Sequence, residues 1–311
     1  MTAAALEVAG LRVAVRNGSA LTPTVTDFSF SVAPGESLGL VGESGSGKSL
    51  SLRAVAGVLP PGVAKTGGDV VTGGARMAMI FQEPLTALNP TRRVGDAIAD
   101  VVQATRRCSR RDARAAAVAL LTEVGMTDPA RRARMWPHEL SGGLRQRAVI
   151  AMALAHEPSI LLCDEPTTAL DVTVQDQVLG LLDRLRQERN VALVFVTHDL
   201  AVVATLCQRV AVMYAGQIVE TGPTRDVLRE PRHPYTRALL ESSRTRTSPA
   251  GARPIGGQPP TPGSFPDGCR FAPRCPHANE VCRTMTYDLA GVNDQRADAC
   301  VRTLELTAVN S

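Results

Sequence analysis

The sequence predicts an α/β fold in which a parallel sheet carries helical cover. Three observations lead there. From residue 143 onward, helix and strand patterns alternate, and that order implies right-handed crossovers into a parallel sheet. Val191–Thr197 is a Val-rich apolar run, the pattern of a strand buried on both faces. Gly42-Glu-Ser-Gly-Ser-Gly-Lys48-Ser49 stands between an apolar strand and a helical segment, the context that a phosphate-cradling loop requires.

Residues 6–40 alternate apolar and polar and read as antiparallel strands Leu11–Val15, Val25–Val32 and Ser37–Val41, with turns at Asn17-Gly18 and Pro34-Gly35. A helix follows from Lys48 to Gly57. Pro60-Pro61-Gly62 and Gly67-Gly68 read as turns before a strand at Arg76–Phe81. Residues 94–135 are rich in Ala and Arg, with Ala117, Leu120, Leu121 and Val124 at helical spacing, and read as a helical insert. Gly143–His156 reads as a helix and Ile160–Cys163 as a short buried strand. Val174, Val178, Leu181, Leu182 and Leu185 line one face of a further helix. Residues 242–268 carry an excess of Ser, Thr, Pro and Gly and read as a linker.

Composition excludes several classes. Of 311 residues, 44% are apolar and 21% charged, which rules out disorder of the whole chain. The net charge of +4, with one Trp, three Tyr and six Phe, argues against nucleic acid as a partner. Uncharged apolar stretches such as Val210–Val219 are half the length of a spanning helix, which needs about 20 residues. The N-terminus meets Glu7 at once and has no basic region, so no signal peptide is expected and the cytoplasm is the default compartment. Work at a membrane would then go through a partner.

Three segments carry chemistry. In Gly42–Ser49, glycines Gly42, Gly45 and Gly47 and the flanking Ser44 let backbone N–H groups curl around phosphate oxygens, Lys48 would bridge the β- and γ-phosphates, and Ser49 would ligate Mg²⁺. Ser159-Ile-Leu-Leu-Cys-Asp164-Glu165 is an apolar strand ending in two acids. Asp164 is placed to hold Mg²⁺ and Glu165 to polarise an attacking water for phosphoryl transfer. Leu140-Ser141-Gly142-Gly143 reads as a helix start, with Ser141 as N-cap and two glycines that admit a phosphate. Gln82 and His198 are single polar residues at strand ends; either alone reads as a solvated loop residue.

Taken in order, these segments resemble the nucleotide-binding subunit of ABC transporters over residues 6–240, with Leu-Ser-Gly-Gly the most specific match. The resemblance implies a P-loop NTPase (RecA-like) core with an antiparallel β subdomain and a helical subdomain at about residues 84–145. It implies that Gln82 senses the γ-phosphate and joins Ser49 and Asp164 around Mg²⁺, that His198 contacts the γ-phosphate, and that Asp171 of the Ala169-Leu170-Asp171 turn lies at a dimer seam. It also implies that Ser141, Gly142 and Gly143 bind the ATP held by a partner chain. One departure stands out: Val15 occupies the place of the family's adenine-stacking aromatic.

The branch is marked by Pro231-Arg-His233-Pro234-Tyr235-Thr236, by Glu83–Pro90 and by the stretch from Pro262 to Cys275-Pro276, which resemble the oligopeptide/dipeptide/nickel importers. That branch implies a second ATPase subunit, two transmembrane permease subunits and an extracytoplasmic solute-binding protein, with this chain peripheral at the cytoplasmic face of the cell membrane. A nickel or other small-solute importer, or a peptide or antibiotic exporter, is the alternative. Soluble ABC proteins of DNA repair or translation usually carry tandem ATPase domains or a long coiled coil, and this chain has neither.

The expected division is a nucleotide-binding domain at 1–240, a linker at 241–268 and a small Cys-rich C-terminal extension at 269–311. Cys269, Cys275, Cys282 and Cys300 follow C-x5-C-x6-C-x17-C. Spacing alone leaves an iron–sulfur cluster and zinc level; the branch resemblance implies a 4Fe–4S cluster. Arg270, Arg274 and Arg283 are placed to offset its charge.

Overall fold

The computed structural model describes residues 4–83, 87–168, 170–244, 255–285, 287–293, 296–303 and 305. Residues 84–86 of the Glu83–Pro90 segment, Ala169 of the Ala169–Asp171 turn, and residues 245–254 of the expected linker lie outside them. The chain forms two compact units from discontinuous segments. One comprises Met1–Leu6, Val32–Glu36 and Thr72–Phe195; the other comprises Glu7–Ser31, Ser37–Val71 and Val196–Ser311.

The second unit begins with β1 (Leu6–Asn17) and β2 (Ala20–Val32), turned at Gly18. Their alternation holds Leu11, Val13, Val25 and Phe28 inside, as period two demands. Next come β3 (Ser37–Val41), α1 (Lys48–Ala56), closed by a left-handed Gly57, and β4 (Val63–Val71). Strand order in the smaller sheet is β2-β1-β4. Gly67-Gly68 does not turn the chain. It lies inside β4, opposite a register shift between Ala9 and Arg12. Gly68 holds φ +81°, and a Cβ there would meet the Gly10 carbonyl carbon and oxygen at 2.4 Å. The two glycines make a bulge, a use of Gly that strand context favours over a turn.

The first unit holds β5 (Met77–Ile80), the insert helices α2 (Val94–Arg106), α3 (Arg110–Glu123) and α4 (Pro129–Arg132), then α5 (Gly142–Leu154), β6 (Ile160–Asp164), α6 (Val172–Arg189) and β7 (Ala192–Val196). The insert is helical because α2 and α3 each bury one stripe: Ile98, Ala99 and Val102 on one, Ala113, Ala117, Leu120 and Leu121 on the other. Ser109 caps α3 by accepting from Asp112 N–H at 3.2 Å. β5 and β6 run parallel, Met77 opposite Ile160 and Ile80 opposite Cys163, and β6 and β7 are buried throughout.

The second unit then resumes with α7 (Leu200–Leu206), β8 (Arg209–Tyr214), β9 (Gln217–Pro223), α8 (Thr224–Arg229) and α9 (Pro234–Arg244). The apolar stretch Val210–Val219 is the β8–β9 hairpin. Among the described residues no helix is long and apolar enough to cross a membrane. Ser37–Val41, expected as antiparallel, pairs in parallel with β8, Leu38 opposite Arg209 and Val41 opposite Val212. All five of its residues are buried; a strand covered on both faces belongs in a parallel sheet. Residues 280–298 add α10 (Glu280–Thr284), β10 (Ala290–Asn293) and β11 (Arg296–Asp298). β11 pairs antiparallel with β9, Ala297 opposite Thr221.

Gly68→Ala tests the bulge. A Cβ against backbone atoms at a positive φ is expected to cost more than about 2 kcal/mol, measured as a lower denaturant midpoint. An unchanged midpoint would show that β4 shifts freely.

Candidate functional site

The phosphate loop is shaped by its strand and helix. Gly42 holds φ +154°, and a Cβ there would stand 2.1 Å from the Met213 carbonyl oxygen. At the other end Gly47, at φ +99°, is the N-cap of α1. Lys48 is buried inside the loop, its Nζ donating to the carbonyls of Gly42 at 2.8 Å and Glu43 at 2.9 Å. Gly216 N–H donates to Ser46 O at 2.9 Å and fixes the loop to the β8–β9 turn. Thus Lys48 and the N-terminal N–H groups of α1 share one concave loop, an arrangement that binds anionic phosphate. His198 is exposed, just after Thr197, whose N–H donates to Leu40 O at 3.2 Å; it therefore leaves the fold near the loop end of β3.

In the other unit, Asp164 closes β6 and is buried. Glu165 follows at φ +46°, its carboxylate accepting from Thr168 Oγ1 at 2.9 Å. Gln82 lies two residues beyond Ile80 and Glu165 two beyond Cys163; because Ile80 and Cys163 are paired, both leave at the same end of the parallel pair. A second feature of this unit is the Ser141–Gly143 start of α5. Ser141 occupies the N-cap position with no side-chain cap bond, so the expected Ser141 cap is absent. Arg145 instead holds the approach, donating to Pro137 O at 2.8 Å. A Cβ on Gly143 would stand 2.5 Å from Val174 Cγ1. Asp171 caps α6, accepting from Val174 N–H at 3.0 Å, so one turn of α6 supports both features.

The family described as ABC transporter matches residues 25–168, and the oligopeptide/dipeptide transporter C-terminal region matches residues 219–282. The chain is 42% identical to the dipeptide transport ATP-binding protein DppD of Bacillus subtilis, over 95% of this chain and 97% of that one. It is also 42% identical to the oligopeptide transport ATP-binding protein OppD of Salmonella typhimurium, over 96% and 94%. The chain belongs to the ABC transporter ATP-binding proteins. Its fold matches that of the dimeric ATP-binding cassette MJ0796 in a post-hydrolysis state bound to ADP and Pi, with a TM-score of 0.60 at 26% identity over 71% of this chain and 99% of that one. Members of this family are ATPases, and the ABC ATPase described here has the P-loop NTPase fold that the sequence implies.

Sequence reasoning missed what holds the Pro231–Thr236 motif in place. Buried Glu220 accepts from Arg232 N–H at 3.0 Å and His233 N–H at 3.0 Å, and pairs with Arg296 at 2.8 Å. His233 Nδ1 in turn accepts from Tyr235 N–H at 3.1 Å. The four tail cysteines form no disulfide with one another and line one cavity together with His277 and Arg302. Burial pushes the thiols of Cys269 and Cys275 up and that of Cys300 up to about 11. Arg302, which lines this cavity, acts against that rise at Cys275. Arg270 and Arg274, expected beside the sulfurs, are engaged elsewhere: Arg270 Nη2 donates to Thr26 Oγ1 at 2.8 Å and its guanidinium lies 3.9 Å from the Phe265 ring. Among the described residues no group of three or more His, Cys, Asp or Glu stands close enough to hold a metal ion.

Burial pushes the His233 imidazole down from 6.5 to about 3. Between those values the unfolded chain binds a proton that the folded chain refuses. The contribution of His233 is therefore whole above pH 6.5 and lost as pH falls toward 3. His233→Asn is expected to flatten the acid-side fall of the urea midpoint.

Proposed function

We propose that this chain is the ATP-hydrolysing subunit of a peptide importer. The observation that carries this reading is the alignment over nearly the whole chain, C-terminal region included, with dipeptide and oligopeptide transport ATP-binding proteins. In the phosphate-loop unit, Gly42, Ser44, Gly45 and Gly47 offer backbone N–H groups to phosphate, and Lys48, placed by its loop carbonyls, serves the β- and γ-oxygens. Ser49 of this unit, and Gln82 and Asp164 of the other, would supply oxygen donors to Mg²⁺, the donor type that suits a hard cation. Bound there, Mg²⁺ would neutralise charge on the phosphates.

Glu165 polarises the attacking water, Gln82 senses the γ-phosphate, and His198 contacts it. Ser141, Gly142 and Gly143 face the ATP of a partner ATPase chain, supported by the N-terminus of α5 without a side-chain cap. Asp171 lies at the dimer seam, beside Val172, which is 76% exposed. Closure on ATP and opening after hydrolysis drive two permease subunits fed by a solute-binding protein, with this chain on the cytoplasmic face of the membrane. The division into residues 1–240, 241–268 and 269–311 belongs to the same reading.

Cys269, Cys275, Cys282 and Cys300 would ligate a 4Fe–4S cluster in the Cys-rich extension; the support is that all four line one cavity, and ligation would require the sulfurs to draw closer together than they stand here. Fe–S clusters are ligated by four thiolates.

Glu165→Gln keeps the side chain's shape but cannot act as a base. Hydrolysis is expected to fall by about a hundredfold or more, with ATP binding retained and a closed dimer accumulating in size-exclusion chromatography. Near wild-type turnover would remove Glu165 from the reaction. Anaerobically purified protein is expected to be brown, with about four irons and four sulfides per chain; colourless protein with one zinc would overturn the cluster.

A further inference from the structure

The segment between Cys269 and Cys275 reaches the phosphate loop itself. Arg274 is 3% exposed at its side chain and forks onto the Glu43 carboxylate, Nη1 to Oε2 at 2.7 Å and Nη2 to Oε1 at 3.0 Å. Its other three donors are also satisfied. Nη1 reaches Tyr214 Oη at 3.2 Å, Nε reaches Gly256 O at 2.8 Å, and Nη2 reaches Ile255 O at 3.1 Å. A guanidinium has five N–H donors, and here each has a partner. From the other side, the Glu43 N–H donates to Tyr235 Oη at 2.8 Å. The rings of Tyr214, Tyr235 and Phe271 pack together, with Phe271 centred 5.3 Å from Tyr214 and 5.4 Å from Tyr235. Glu43 is the second residue of the loop, and its carbonyl is one of the acceptors holding Lys48. Main chain and side chain of one loop residue are therefore both gripped by residues 235–274, while its carbonyl sets the lysine.

We propose that Arg274 and Tyr235 are positioning residues for the nucleotide: they act through Glu43 to hold the phosphate loop and Lys48 in the ATP-binding shape. The proposal rests on the reading of residues 42–49 as the ATP site. On this view the C-terminal region is a working part of nucleotide binding as well as any site of assembly. A bidentate, charge-assisted pair that is largely removed from water is stronger than an exposed one, and Lys cannot reproduce its fork.

The test uses the full chain and Mg·ATP, with binding measured by calorimetry and turnover by phosphate release. Lys48→Ala is expected to abolish binding. If it binds as the wild type does, residues 42–49 are not the ATP site, and the brace falls with that reading. Given loss in Lys48→Ala, Glu43→Gln and Arg274→Gln are each expected to weaken Mg·ATP binding about tenfold, and for Arg274→Gln, which lies outside the loop, the loss is expected in KM rather than in kcat at saturation. Arg274→Lys should restore little of the affinity. The double variant Glu43→Gln/Arg274→Gln should bind no more weakly than either single one, since one interaction cannot be lost twice. Wild-type affinity in both single variants, or in Glu43→Gln alone, overturns the proposal, as does additivity in the double variant. If Arg274→Gln does not fold, Glu43→Gln with Tyr235→Phe decides: both weaken binding if the brace acts, and wild-type affinity in both refutes it.

Discussion

The carbonyl oxygen of Met213 lies where a side chain on residue 42 would begin, 2.1 Å from the Cβ position, and β8 holds that carbonyl in place. The parallel pairing of Val41 with Val212 fixes where β3 ends relative to β8, so the chain must turn at once and with a backbone that only glycine tolerates. The loop shape is thus imposed by strand register before any ligand arrives. Lys48 follows from it: the turn presents the carbonyls of Gly42 and Glu43 inward, and a buried ammonium needs acceptors. The cation is held beside the N-terminus of α1 by the same atoms that make the turn.

The Ser141–Gly143 segment is supported differently. The start of α5 is supported from α6, where Val174 fills the space beside Gly143 and offers its N–H to Asp171. Gly143 and Asp171, both proposed for the dimer face, therefore rest on one helical turn. Ser141 holds the N-cap position but leaves the cap bond unmade, whereas Ser109 makes its own. An N-terminus left in that condition is a ready anion-binding end, which is the chemistry that the phosphate of a second nucleotide would use.

Much of this was legible in the residues. The loop motif, the acid pair at the end of β6 and the buried stripe of α6 are local patterns, legible from motif spacing and from periods of two and 3.6. Pairing partners were not legible. The five residues of β3 are all buried, so they show no alternation to say what lies on either side, and the partner β8 is some 170 residues away in sequence. Gly67-Gly68 carries the composition of a turn, yet the bulge depends on Gly10 across the sheet, which no window centred on residue 68 contains. In sequence the neighbours of Arg274 are the cysteines. Its fork to Glu43 spans 231 positions, and charge patterning within the tail says nothing about a carboxylate in the loop.

That distance also explains why the tail should be gripped so completely. A guanidinium at 3% exposure with a missing partner would leave an uncompensated charge, a penalty of several kcal/mol. Arg274 escapes it because two backbone carbonyls, a phenol and a carboxylate surround it, and only the carboxylate belongs to the phosphate loop. The arginine is therefore positioned by the tail and spends its charge on the loop. Cys269 and Cys275 flank it in sequence, and Phe271 between them is locked against Tyr214 and Tyr235. Any group that draws those two sulfurs to one centre would also fix the segment carrying Arg274, and through Glu43 the loop. The cysteines and the nucleotide site, read from the sequence as separate features, share one covalent segment and one ion pair.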